Sequence, residues 1–398
     1  MSPRPVAALL VAHWDSDTEE GWLTRQVAGA VACGVDVHVV TPDRGQADVR
    51  VDGVFSVHYL GTPLDELAEL RRDLLVQGIS ATATRPEQLL DDVVTNLLDQ
   101  DLIAPWDGTT EVLAELRPSL VVIADHRNVG AMTAVDRYDP TTAINLVSLG
   151  SSLDSLAFPH FRRLCNRSRS VLTVTRSEHD ALIGVLDRPE LRHLVGTPLS
   201  ANPSARTEPD QRLGDSDYVL VLTHADSKNG SREVELAQFL RTAAPERRVA
   251  IVYNDAFVVW HRGRAVKGGP IERSSDMARL MAWARATVDL RPGRLFARRC
   301  VESLLYGTPI VVPYDSRARE HAEIGRGGLW FDNPAELTWC VEAMFDPGTR
   351  ASFSAQGQAY ADREFGSTDQ FIERVLAACA LEPEAAGHSD SESASLTG

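Results

Sequence analysis

"RPGRLFARRCVESLLYGTPIVVP" (291–313) runs from a loop through a short helix into a buried strand. Pro292 and Gly293 read as loop, the next dozen residues as helix, and Pro309 to Val312 as a strand of continuous apolar residues. A small core would accept plain Leu and Ala on that helix. Instead Arg291, Arg294, Arg298 and Arg299 stand around one acid, Glu302, just ahead of a Gly-Thr-Pro turn. A carboxylate there suits a vicinal diol, because its two oxygens can accept from both hydroxyls of a ribose. Nearby arginines keep such an acid ionised and can hold a diphosphate. The plainer reading of Arg298 and Arg299 is as surface side chains paired with acids elsewhere.

Outward from this stretch the chain alternates strands and helices. Before it come "YVLVLTH", "SREVELAQFLRTA", "RVAIVYN", "SSDMARLMAWARA" and "TVDL", read in turn as strand, helix, strand, helix and strand. An earlier series has the same texture: the strands Val6 to Ala12, "VDVHVVTPD", Val54 to Leu60, "SLVVIAD", "AINLVSLG" and "SVLTVTRS". Its helices are Trp22 to Cys33, "RPEQLLDDVVTNLLDQDL", "TTEVLAELRP" and "SEHDALIGVL". Such alternation predicts doubly wound parallel sheets, and the Pro-, Ser-, Gly- and Asp-rich run 196–217 reads as a connector between two of them. A length of 398 residues agrees with two domains.

Composition narrows the class. Hydrophobic content of 43% and charged content of 24% are those of a soluble globular protein. A formal charge of -16 repels phosphate on average and argues against nucleic acid as a partner. Cys33, Cys165, Cys300, Cys340 and Cys379 are scattered with no Cys-x-x-Cys pair, which fits a reducing, cytoplasmic setting. The apolar run near the N-terminus is far shorter than a membrane span. Asp15-Ser16-Asp17 and Asp215-Ser216-Asp217 are Asp-x-Asp strings, and neither reads as a metal site; no metal and no cofactor beyond the substrate is expected. "FPHFRRLCNRSRS" (158–170) interleaves aromatic and basic residues, so peripheral contact with anionic lipid stands beside the plainer reading of a solvated helix face.

Two loops of the second half offer ligand chemistry. In "THADSKNGS" (223–231) Gly230 permits close backbone approach and Lys228 can place an ammonium on a phosphate. In the opening stretch Gly293 frees the loop and Arg294 stands at the helix start. The run "VDLRPGRLFARRCVESLLYGTPIVVPYDSRAREHAEIGRGGLWFDNPAEL" resembles the C-terminal donor-binding domain of the retaining GT-B glycosyltransferases, the large "group 1" (family 4-like) set. That set carries a Glu, seven residues, a second Glu, then a Gly-x-Pro turn and a strand. The first helix and second strand, "SVLTVTRSEHDALI", "DYVLVLTHADSKNG" and "AYADREFGSTDQFIERVLAACA" are similar to further family elements.

The resemblance implies a GT-B architecture, α/β, with two Rossmann-like domains whose parallel sheets face a central cleft. Residues 1–198 would form the N-terminal acceptor-side domain and 199–216 the linker. Residues 217–364 would form the nucleotide-sugar-binding domain, 365–381 a helix crossing back, and 382–398 a disordered tail. It implies that Glu302 binds the ribose and that Lys228, Asn229, Gly230 and Gly293 hold the donor nucleotide and phosphates. Gly307 and Pro309 match the turn, Ile271 to Arg273 fall where the base is read, and His126 stands near an active-site histidine. Gly21 and Glu20 belong to the loop after the first strand on the acceptor side. The chain departs from the pattern at Arg294, which occupies the place of the first motif Glu and turns an acceptor group into a donor. The implied activity is metal-independent hexosyl transfer with retention, from a nucleotide-sugar donor to a glycan, lipid or small-molecule hydroxyl. A catalytically degenerate binding or scaffolding protein and a nucleotide-sugar epimerase of the same fold remain as alternatives.

Overall fold

The structure is a computed structural model describing residues 4–12, 14, 19–43, 49–52, 54–60, 106–125, 128–147, 159–199, 205, 217–223, 236–237, 239–240, 246–253, 256–262, 264–271, 274–290 and 297–381. Two sheets organise it. The first takes β1 (Val6–Leu10), β2 (Asp36–Thr41), β3 (Val49–Asp52), β4 (Phe55–Tyr59), β5 (Leu120–Ala124), β6 (Ile144–Val147), β7 (Ser170–Thr173) and β8 (Arg192–Leu194). Their order is β3-β4-β2-β1-β5-β6-β7-β8, parallel except for β3, which runs against β4 at the edge. The second takes β9 (Tyr218–Thr223), β10 (Arg248–Tyr253), β11 (Ala256–His261), β12 (Arg264–Pro270), β13 (Thr287–Asp289), β14 (Ile310–Pro313) and β15 (Gly328–Phe331). Here the order is β12-β11-β10-β9-β13-β14-β15, with the antiparallel pair β11 and β12 at one edge.

Each sheet reverses its winding once, between β1 and β5 in the first and between β9 and β13 in the second. Ligands of open α/β sheets sit beyond the strands' carboxyl ends at such a reversal. The helix following β1 is α1 (Glu19–Ala32). Further along the first half lie α2 (Thr109–Leu116), α3 (Val129–Tyr138), α4 (Pro159–Arg167) and α5 (Arg176–Ala181). The second half carries α6 (Ser274–Trp283), α7 (Arg298–Leu305), α8 (Arg319–Glu323), α9 (Pro334–Ala343), α10 (Pro347–Phe365) and α11 (Thr368–Ala378). The sequence reading anticipated the parallel strands but not β3, β8, β15 or the hairpin β11–β12. β12 contains Gly268, Gly269 and Pro270, which read as loop, yet an edge strand tolerates them. A Cβ at Gly268 would meet the carbonyl oxygen of Phe257 on β11 at 2.8 Å, so the close approach of the two strands requires glycine there.

The two sheets share packing. α10 ends at Phe365, and the chain restarts as α11 with Ser367 Oγ accepting from the Gln370 amide at 3.2 Å. α11 lies against α1, β7 and β8 of the first sheet. Its Phe371 and Val375 join Leu23 and Val27 of α1, Val301 and Leu304 of α7 and Tyr360 of α10 in one buried apolar cluster. Hydrophobic burial, the main favourable term in folding, is therefore continuous between the two halves on this side.

Candidate functional site

α7 follows β13, beside the winding reversal of the second sheet, and its inner face fixes it tightly. Cys300, Val301, Leu304 and Leu305 are buried. Ser303 Oγ meets Thr287 Oγ1 of β13 at 2.7 Å, and Thr308 Oγ1 donates to the Met281 carbonyl at 2.8 Å. The Gly-Thr-Pro turn works as the helix stop. Gly307 has φ 70, its amide donates to Leu304, and the Thr308 amide donates to Ser303. That is the paired bonding of a Schellman stop, which wants glycine at the left-handed position.

The first turn of α7 is built against local rules. Ala297 at its N-cap has φ 55 with no side-chain cap, a costly left-handed conformation for alanine. Arg298 and Arg299 put two cations at the positive end of the helix dipole, and the turn has no acid. Both guanidinium groups are held by Glu302: Arg298 Nε donates to Oε1 at 2.7 Å and Arg299 to Oε2 at 2.8 Å. The carboxylate is 12% exposed. Arg298 also lies over the indole of Trp22, 4.2 Å from the ring centre to the guanidinium carbon. Trp22 is in the first turn of α1, beside the winding reversal of the first sheet. The reversals of the two sheets therefore meet through one stacked pair. The plain reading that Arg298 and Arg299 pair with acids elsewhere is corrected: their acid is Glu302, four and three residues on.

Of the other sequence candidates, Gly21 and Glu20 lie in the first turn of α1 rather than in a loop. Ile271 directly follows β12 and packs on a buried apolar cluster of the second half. His126, Lys228, Asn229, Gly230, Gly293 and Arg294 lie outside the described residues, as do Asp15, Ser16 and the tail 382–398. Asp125, which precedes His126, is buried with φ 74 at the carboxyl end of β5. Asp217 pairs with Arg285 at 3.0 Å. On α4, Arg162 pairs with Asp187 at 3.4 Å on the exposed surface, and Arg167 pairs with Asp136 at 3.3 Å. Among the described residues no group of His, Cys, Asp and Glu could hold a metal ion, and no helix is long and apolar enough to cross a membrane. Burial pushes the Cys165 thiol up to about 12 and that of Cys340 up to about 11, so neither is a nucleophile near neutral pH.

Sequence reasoning missed a second junction between the halves. Glu320, 8% exposed on α8, accepts from the Arg176 and Ser177 amides at 2.8 Å each and from the Ser177 hydroxyl. Thr175 Oγ1 takes the next amide, that of Glu178, at 3.2 Å. The open amides of the first turn of α5 are thus satisfied from both sides of the junction. The partners are 144 positions apart, and no local pattern announces such a pair.

No protein-family model matches the chain, and no curated protein matches it. Solved structures do. Sucrose-phosphate synthase from Thermosynechococcus elongatus aligns at 12% identity and a TM-score of 0.61, over 93% of this chain and 97% of that one. Anabaena HepE in complex with UDP and glucose aligns at 14% identity and 0.62, over 94% and 99%. The α,α-trehalose-phosphate synthase (UDP-forming) from Burkholderia vietnamiensis aligns at 12% and 0.62, over 95% and 98%. The chain has the GT-B fold. The similarity spans both halves, so the GT-B frame includes the junction at which Trp22 meets Arg298.

Proposed function

We propose that the chain is a nucleotide-sugar-dependent glycosyltransferase that moves a hexosyl group to an acceptor hydroxyl with retention and without a metal ion. The observation that carries this reading is Glu302, a carboxylate on α7, the helix that follows β13, where the two halves of a GT-B frame meet. Its two arginines occupy one acceptor position on each oxygen, and a carboxylate has about four such positions, which leaves capacity for a ribose diol. Anabaena HepE was solved with UDP and with UDP-glucose, which favours a uridine nucleotide as the first donor to try.

In the proposed reaction the bond between the anomeric carbon and the phosphate oxygen breaks. The acceptor hydroxyl attacks on the same face, and its proton leaves with the diphosphate. Charge growing on the diphosphate calls for fixed positive groups, a role for Lys228 and the N-terminal end of α7. His126 is assigned a place beside the donor sugar. Arg294, a donor where the GT-B set has an acid, either grips the carboxylate of a uronic acid donor or serves as the phosphate arginine.

A nucleotide-sugar panel tests the reading by thermal unfolding, since a ligand that binds the folded state alone raises the melting temperature. A donor that stabilises the wild type, fails to stabilise Glu302→Ala, and is turned over in EDTA fits the proposal. No response to any nucleotide would leave a scaffolding role. Preference for UDP-glucuronate over UDP-glucose, lost in Arg294→Glu, selects the uronate version.

A further inference from the structure

We propose that Arg298 is a positioning residue that reports nucleoside occupancy of Glu302 to Trp22 in the other half of the molecule. The inference rests on the nucleoside reading of Glu302. Its starting point is the crowding at that carboxylate. Arg298 and Arg299 approach within 2.7 and 2.8 Å, one on each oxygen, and only 12% of the side chain is exposed. The acceptor position left on each oxygen lies beside a guanidinium, so a ribose diol that takes both positions presses on Arg298 and Arg299.

Arg298 cannot adjust without consequence, because it has two partners at once. Its Nε is on Oε1 of Glu302 and its planar face is on the indole of Trp22, 4.2 Å away. A guanidinium both donates in its plane and stacks through its faces, which makes arginine suited to link an acid to an aromatic ring. A lysine would supply the charge without the plane. Ribose, Glu302, Arg298 and Trp22 thus form a line that leaves α7 and ends in α1.

Trp22 is well placed to feel the change. It is half-buried, and the next residue, Leu23, is wholly buried in the apolar cluster that also holds α7 and α11. The ring packs on that cluster and has the cation over it. The unfavourable features of the α7 start agree with this role. Two cations at the positive helix end and a left-handed Ala297 are unfavourable there, offset only in part by the pairs with Glu302 on the same helix, and local rules broken together in one turn mark a site under functional demand.

The test uses intrinsic fluorescence on the full chain, which has seven tryptophans. Emission of Trp22 is obtained as wild type minus Trp22→Phe, with and without millimolar UDP, GDP, ADP or CDP. Melting temperatures are followed in parallel. The relay predicts that the nucleotide that raises the melting temperature also changes the difference spectrum. It predicts that this change disappears when the subtraction is repeated in an Arg298→Gln background, and shrinks in Arg298→Lys. Stabilisation with an unchanged difference spectrum overturns the relay and leaves the transferase reading standing. Stabilisation with the same spectral change in Arg298→Gln also overturns it. A protein that no nucleotide stabilises overturns both. A purely structural stack would lower the melting temperature of the variants without altering how Trp22 responds to nucleotide.

Discussion

Glu302 sits amid two cations that its own helix places at an unfavourable end, so the residue scale already separates fold from function. The sequence made the lone acid visible because nothing about a core helix requires one. It hid the partners, since Arg298 and Arg299 at three and four residues' spacing look like ordinary surface side chains. Two histidines show another residue-scale effect. His38 Nδ1 and His58 Nε2 stand 2.9 Å apart on β2 and β4. Burial lowers the proton affinity of both below the ordinary 6.5, and at His58 the neighbouring His38 adds to this while Glu115 opposes it. The folded protein thus binds fewer protons here than the unfolded chain once the pH drops to about 6.5. This contribution to stability is complete above that pH and is lost as the pH falls through the lowered values. Urea midpoints measured from about pH 7 down to about pH 5.5 should decline, and less steeply in His58→Gln. An unchanged slope in that variant would contradict the assignment.

At the scale of elements, patterns with a local cause could be read and those with a distant cause could not. The strand–turn–helix periods gave the parallel strands other than β8 and β15 directly, and Gly307 was legible as a turn because its positive φ is needed by the helix stop. Gly307→Ala should cost about 1–2 kcal/mol in urea unfolding from the left-handed strain alone. An unaltered midpoint would mean that the turn relaxes. The hairpin β11–β12 escaped because Gly268 answers to a neighbouring strand rather than to a turn. Half of the α5 cap escaped for a related reason: Thr175 caps the helix locally, but the acceptor for the Arg176 and Ser177 amides comes from α8. Glu320→Ala removes the acceptor for two backbone amides and should cost about 1–3 kcal/mol. A double-mutant cycle with Ser177→Ala should show coupling of about 0.5–3 kcal/mol. Additive losses would show that the two residues do not act together.

At the scale of the whole molecule, the architecture was readable and the joint was not. Alternating strands and helices on either side of a connector are enough for two facing α/β halves. What joins them depends on side chains brought together only by folding: the cluster around α1, α7, α10 and α11, the Glu320 contact, and the stack of Arg298 on Trp22. Glu302, the acid of the proposed site, was found singly in the sequence, and its contact with Arg298, like that of Arg298 with Trp22, shows only in the fold.

The most direct measurement compares affinities for the nucleoside diphosphate that stabilises the protein best and for its 2′,3′-dideoxy counterpart, in wild type and in Glu302→Ala. Hydrogen bonds to a charged group contribute about 1.5–3 kcal/mol, so the wild type should prefer the ribonucleotide about 10- to 100-fold. Glu302→Ala should bind the two nearly alike. Equal binding by the wild type, or a preference that survives in Glu302→Ala, would contradict the assignment of that carboxylate to the ribose.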